Sequence, residues 1–75
     1  MSAELVKDVT LDGQLVARIR CYDGDAGSTI VDAQVAPPGG QPVRRGPYRF
    51  GTAHEAFRFL QEATLALQYL GCSIA

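Results

Sequence analysis

From Thr52 to Leu70 the chain runs without a glycine or proline and then closes on Gly71. Such a run is read as one helix, and its apolar pattern limits what the rest of the molecule can be. On a helical wheel Ala53, Ala56, Phe57, Leu60, Ala63, Leu67 and Leu70 make a single stripe, while Phe59, Ala66 and Tyr69 widen it beyond the arc that one sheet face covers. The ends are equally legible. Thr52 and Glu55 stand in capping-box spacing, in which the Thr hydroxyl accepts the Glu55 amide and the carboxylate reaches back toward the cap. Gly71 suits the left-handed position just past a helix end, with Cys72 folding back onto the last turn.

The stretches before this helix alternate with period two. Leu5 to Leu11 and Gln14 to Tyr22 read as strands joined by Asp12-Gly13, the pair favoured at the centre of a type I′ turn. Residues 23–28 form a longer turn, and a third strand runs from Thr29 to Ala36 with Val31, Ala33 and Val35 on one face. Short connections make these strands an antiparallel meander. The Pro/Gly stretch at about residues 37–46 reads as a flexible loop. Beyond it, Pro47 to Phe50 is long enough for a short strand, confined to an edge by its proline. The expected fold is therefore α+β. It is a three- to four-stranded antiparallel meander followed by one long C-terminal helix packed on one sheet face, in the order β-β-β-(β)-α. Phe57, Leu60, Ala63, Leu67 and Leu70 are expected to pack on Leu15, Ile19, Val31, Val35 and Tyr48.

Seventy-five residues read as one small domain, and a chain of that size buries only about 60% of its unfolded surface. Small cores are commonly reinforced by disulfides, a metal or a partner. Cys21 and Cys72 allow at most one internal bridge. His54 is the only histidine, and neither cysteine has a spaced companion, so no metal or cofactor is expected. Oligomerisation is the reinforcement left. Glu4, Lys7 and Asp8 interrupt any secretory pattern near the start, and no segment reaches the ~18 apolar residues of a membrane span. The expectation is a cytoplasmic protein with reduced thiols and no membrane contact. A net charge of −1 exerts no global pull toward nucleic acid.

Catalytic motifs are weak. Asp23-Gly24-Asp25-Ala26-Gly27-Ser28 superficially resembles a calcium loop, but the position for a bidentate Glu falls on Gln34. The same glycines lead into a strand, whereas a phosphate loop leads into a helix. His54 with Cys21 or Cys72 reads as a solvated histidine and two buried thiols before it reads as a thiol and its base. No enzymatic activity and no small-molecule substrate are inferred.

Two surfaces remain. Six of the seven basic residues are arginine. Arg18, Arg20 and Tyr22 alternate on the expected open face of the second strand, with Arg44, Arg45 and Arg49 near the last one. Arginine beside an aromatic on an open sheet suits single-strand nucleic acid, combining phosphate contacts with base stacking. The plainer reading is a set of solvated charges, with Arg18 or Arg20 paired across strands to Asp32. The second surface is the residual helix edge Phe59, Ala66 and Tyr69, which reads as a protein interface.

Gly51-Thr52-Ala53-His54-Glu55-Ala56, with Glu62-Ala63 further along, resembles the strand-to-helix junction of HicB-type antitoxin domains, which place about three strands before a helix. The element order also resembles the dimeric single-strand-binding coactivator and Whirly-type domains, whose helices help join protomers. These likenesses, HicB-like or Whirly- and coactivator-like, imply a single-strand nucleic-acid-binding module. The expected function is a small non-enzymatic interaction or regulatory module acting as a homodimer, or docked on another protein, through its C-terminal helix. The alternative is a single-strand nucleic-acid-binding module using Arg18, Arg20, Tyr22, Arg44, Arg45 and Arg49.

Overall fold

The computed structural model describes residues 4–37 and 39–75. Pro38, part of the expected loop, and residues 1–3 of the N-terminal stretch lie outside the described residues. The elements are β1 (Leu5–Leu11), β2 (Gln14–Asp23), β3 (Thr29–Val35), β4 (Val43–Phe50), α1 (Ala53–Tyr69) and β5 (Ser73–Ile74), with one 3-10 turn at Asp25–Gly27. They form a five-stranded sheet in the order β4-β3-β2-β1-β5, antiparallel throughout, with α1 against it. The α+β meander and its C-terminal helix are as the periodicities imply.

Local chemistry accounts for the elements. At the β1-β2 turn Asp12 and Gly13 both take positive φ, 52° and 78°, as a type I′ turn requires. Thr52 caps α1 by accepting the Glu55 amide at 3.2 Å, and the Thr52 hydroxyl donates to Glu55 Oε1 at 3.0 Å. The carboxylate thus closes on the Thr hydroxyl, where the capping box would have it reach the Thr amide. At the other end the Gly71 amide donates to the Gln68 carbonyl and the Cys72 amide to that of Leu67, both at 3.0 Å. This Schellman pair satisfies carbonyls that the helix end would otherwise orphan.

The strands depart from simple alternation twice. Val9 pairs with Ala17 but Thr10 with Leu15, leaving Val16 as an extra residue. Val31 pairs with Tyr48 but Ala33 with Arg45, so Gly46 and Pro47 together oppose Asp32. Gly46 is required there: a Cβ would meet the Tyr48 amide at 3.0 Å and the Val31 carbonyl at 3.1 Å. The expected loop at about residues 37–46 is therefore too long. Val43, Arg44 and Arg45 already pair with Val35, Gln34 and Ala33, and β4 is a full edge strand with its proline inside a bulge.

The core is a thin layer of Val9, Ala17, Ile19, Cys21 and Val31 from the sheet against Ala56 and Leu60 from the helix. Ala33, Val35, Phe50, Leu67, Cys72 and Ile74 pack around it. The path of α1 explains why so little is buried. It leaves β4 at Phe50, which lies opposite Thr29 at one end of the sheet, and delivers β5 beside Val9 and Thr10, near the other end and on the opposite edge. The helix therefore crosses the sheet on a diagonal. Its 17 residues span about 25 Å at 1.5 Å per residue. A sheet about 19 Å wide and about 20 Å tall has a diagonal of about 28 Å.

A diagonal helix leaves two corners of the apolar face uncovered. Leu5 and Phe57 stand at one and Val43 at the other, with Tyr48 along β4 between Val43 and the helix start, and all four are exposed. This overturns part of the expected core. Phe57 is 53% exposed and Leu70 77%, and Leu15 and Tyr48 are also largely accessible. Phe59, expected at a free interface, instead packs on β4 with its ring centroid 5.6 Å from Tyr48 and 5.3 Å from Phe50.

Candidate functional site

The first candidate surface is the sheet face away from α1. Strand register puts Arg18 beside Asp8 and Gln34, and Arg20 beside Val6 and Asp32. Arg18, Arg20, Tyr22, Asp32, Gln34 and Arg44 line a depression of about 300 Å³. Each guanidinium there is already engaged. Arg18 grips Asp8 with two bonds, Nε to Oδ1 at 2.7 Å and Nη2 to Oδ2 at 3.2 Å. Arg20 reaches Glu4 at 3.4 Å and lies over the Tyr22 ring, 5.4 Å from its centroid. Arg44 and the Tyr22 hydroxyl both donate to Asp32 Oδ2, at 3.2 and 3.0 Å.

Asp32 is buried beneath these groups, and its two donors are what permit burial of a carboxylate. The expected pairing of Arg18 or Arg20 with Asp32 is replaced by Asp8, Glu4 and Arg44. Ionisation follows the contacts. The hydrogen bond from Arg18 holds the Asp8 carboxyl below its ordinary range and pushes the guanidinium higher still. The hydrogen bond to Asp32 raises the Tyr22 phenol, with desolvation adding to it.

The remaining arginines separate. Arg49 lies opposite Ile30 on the same face and donates to the Asp25 carbonyl at 3.2 Å. Arg45 lies opposite Ala33, so it belongs to the α1 side of the sheet. The Gly46-Pro47 bulge is the cause: the extra residue changes parity, so Arg44 and Arg49 share a face that uninterrupted alternation would deny them. Four of the six proposed nucleic-acid residues thus converge on one depression, Arg49 flanks it, and Arg45 is on the opposite side.

The second candidate surface follows α1. At 100° per residue Ala66 lies about 20° from Phe59, whereas Tyr69 lies about 60° further round. The three residues therefore do not form one flat strip. Phe59 and Ala66 flank β4, with Phe59 37% exposed and Ala66 exposed. Tyr69 is 96% exposed on the outermost side, where Leu65 accompanies it one turn earlier. Leu70, assigned to the core by the wheel, is 77% exposed at the far end of α1, where Gly71 approaches Leu11 of β1. The wheel could not place it because the helix's angle to the strands decides which flank is covered.

Other chemical groups stay apart. Cys21 and Cys72 are free thiols, and burial pushes the Cys21 thiol up, disfavouring its thiolate. Among the described residues no group of three or more His, Cys, Asp or Glu side chains is placed to hold a metal, and no helix is long and apolar enough to cross a membrane. No family model, curated protein or solved structure matches this chain. The HicB-type and Whirly-type likenesses accordingly rest on residues 51–56, Glu62-Ala63 and the element order alone.

Proposed function

We propose that this chain is a small non-enzymatic interaction module that acts as a homodimer, closed through the β4 flank of α1. The observation that carries this reading is the diagonal helix, which leaves Val43 and Tyr48 of β4 accessible to solvent together with Phe59, whose ring meets Tyr48 on the β4 flank of the helix. Contiguous apolar surface of this kind on a small chain marks an interface. The thin core supports the same conclusion, because both cysteines are free and a second chain is then the natural reinforcement. A standard interface takes about 800 Å² per partner, a modest share of the 5340 Å² that the chain exposes.

The arginine face is the less favoured partner surface. Arg18, Arg20 and Arg44 each have a carboxylate already, and a phosphate would have to displace Asp8, Glu4 or Asp32 to reach them. The test is a dilution series followed by amide NMR. Val43, Tyr48, Phe59 and Ala66 are expected to shift with concentration while Arg18, Arg20 and Tyr22 stay constant. Spectra unchanged from micromolar to millimolar, or shifts confined to the arginine face, would refute the proposal.

A further inference from the structure

Building on the homodimer reading, we infer that the second copy is held by two symmetric ion pairs, Arg45 of each chain to Glu55 of the other, around a two-fold axis near Tyr48 and Phe59. Among the described residues Arg45 is the one arginine whose side chain makes neither an ion pair nor a hydrogen bond. It is exposed and, by register with Ala33, stands on the α1 side of the edge strand. Glu55 stands at the other end of that same edge. Its Oε1 lies 4.0 Å from where a Cβ would sit on Gly51, the residue that follows β4. The Thr52 hydroxyl occupies Oε1, and a carboxylate keeps further acceptor sites on its second oxygen.

Between these two charges lie Tyr48 and Phe59, in ring contact and part-exposed. The edge thus reads cation, aromatic pair, anion. Such a patch is self-complementary, as an isologous interface must be, because a two-fold rotation through the centre brings each end of the patch onto the opposite end of its copy. A foreign partner would not need one patch to carry both signs. Continuous β4-to-β4 sheet pairing is an unsuitable alternative: the Gly46-Pro47 bulge interrupts the edge and Pro47 has no amide to donate. The contact is made by side chains on the α1 side.

The experiment is a charge-reversal exchange read by sedimentation equilibrium at low and moderate salt. Arg45→Glu and Glu55→Arg alone should each weaken the homodimer by about tenfold or more, since each places like charges together at two sites. Mixing the two variants should restore assembly as a heterodimer, because one chain then supplies two acids and the other two arginines. The double variant Arg45→Glu/Glu55→Arg should likewise recover to near the parent affinity. Glu55→Gln, which keeps an acceptor at the helix cap, separates loss of the pair from loss of the helix start, and it too should weaken the dimer while far-UV dichroism stays unchanged. If the parent chain dimerises but neither reversal nor mixing alters its affinity, the ion-pair assignment is overturned and the homodimer reading survives. A parent chain that is monomeric at high micromolar concentration, or that associates only with a foreign protein, overturns both.

Discussion

Replacing Leu60 with alanine tests how α1 sits on the sheet, because Leu60 and Phe57 belong to one stripe on the wheel but differ sharply in the fold. Leu60 is 6% exposed and lies in the seam with the sheet. Its replacement deletes three buried carbons, about 2.4 kcal/mol at ~0.8 kcal/mol each. The cavity left behind brings the cost to about 3 kcal/mol, within the usual range for Leu→Ala. At ~0.05–0.15 kcal/mol per residue, a chain of 75 residues has about 4–11 kcal/mol of stability, so this one change removes much of it. Phe57 already has 53% of its surface in water, and Phe57→Ala should cost about 1 kcal/mol. Leu70, at 77%, should cost about 0.5 kcal/mol. Urea unfolding followed by far-UV dichroism gives all three values, at low micromolar concentration so that self-association does not contribute. A Leu70→Ala penalty equal to that of Leu60→Ala under those conditions would mean that α1 is rotated about its axis and does not cross the sheet as described.

Further outcomes follow from the same structure. Gly71→Ala should destabilise by about 1 kcal/mol, because Gly71 sits at φ 95° and a side chain resists the left-handed region; Thr52→Ala should cost about 1 kcal/mol through loss of the cap, and both are read by thermal unfolding. The Tyr22 phenol, raised from its ordinary value of 10.0 by the bond to Asp32, should ionise later than a free tyrosine in an ultraviolet titration compared with Tyr22→Phe. Because the folded value is the higher one, the stability it contributes is present at neutral pH and is lost as pH rises through that value. Labelled single-stranded oligonucleotides should show no salt-sensitive affinity for the arginine face; tight low-salt binding weakened by Arg18→Ala or Arg20→Ala would overturn that expectation.

Much of the fold was legible because local chemistry decides it. Asp12-Gly13 specifies a turn whose flanking residues then pair, and Thr52 and Gly71 bracket the helix at the observed ends. The parts that were not legible depend on register and direction. Gly46 reads as the end of a loop and Pro47 as the start of an edge strand, yet opposite Asp32 the two form a bulge that extends β4 back to Val43 and reverses Arg45. Ser73-Ile74 is too short to carry a period, but its pairing with Val9 and Thr10 turns the helix across the sheet. That turn exchanges the roles of Phe59, which packs on Tyr48 and Phe50, and of Phe57 and Leu70, which do not reach the core. On the arginine face, alternation brought Arg18, Arg20 and Tyr22 together correctly. The partners Glu4 and Asp8 come from β1-β2 register, which no single strand contains.

Light scattering across a dilution series addresses the central claim most directly, that the surface left open by a diagonal helix is occupied by a second copy of the chain. The expected mass is twice the 8.0 kDa of the chain at high micromolar concentration, falling toward the single-chain value on dilution and falling earlier for Tyr48→Glu. A mass of one chain at every concentration, unchanged by that substitution, would contradict it.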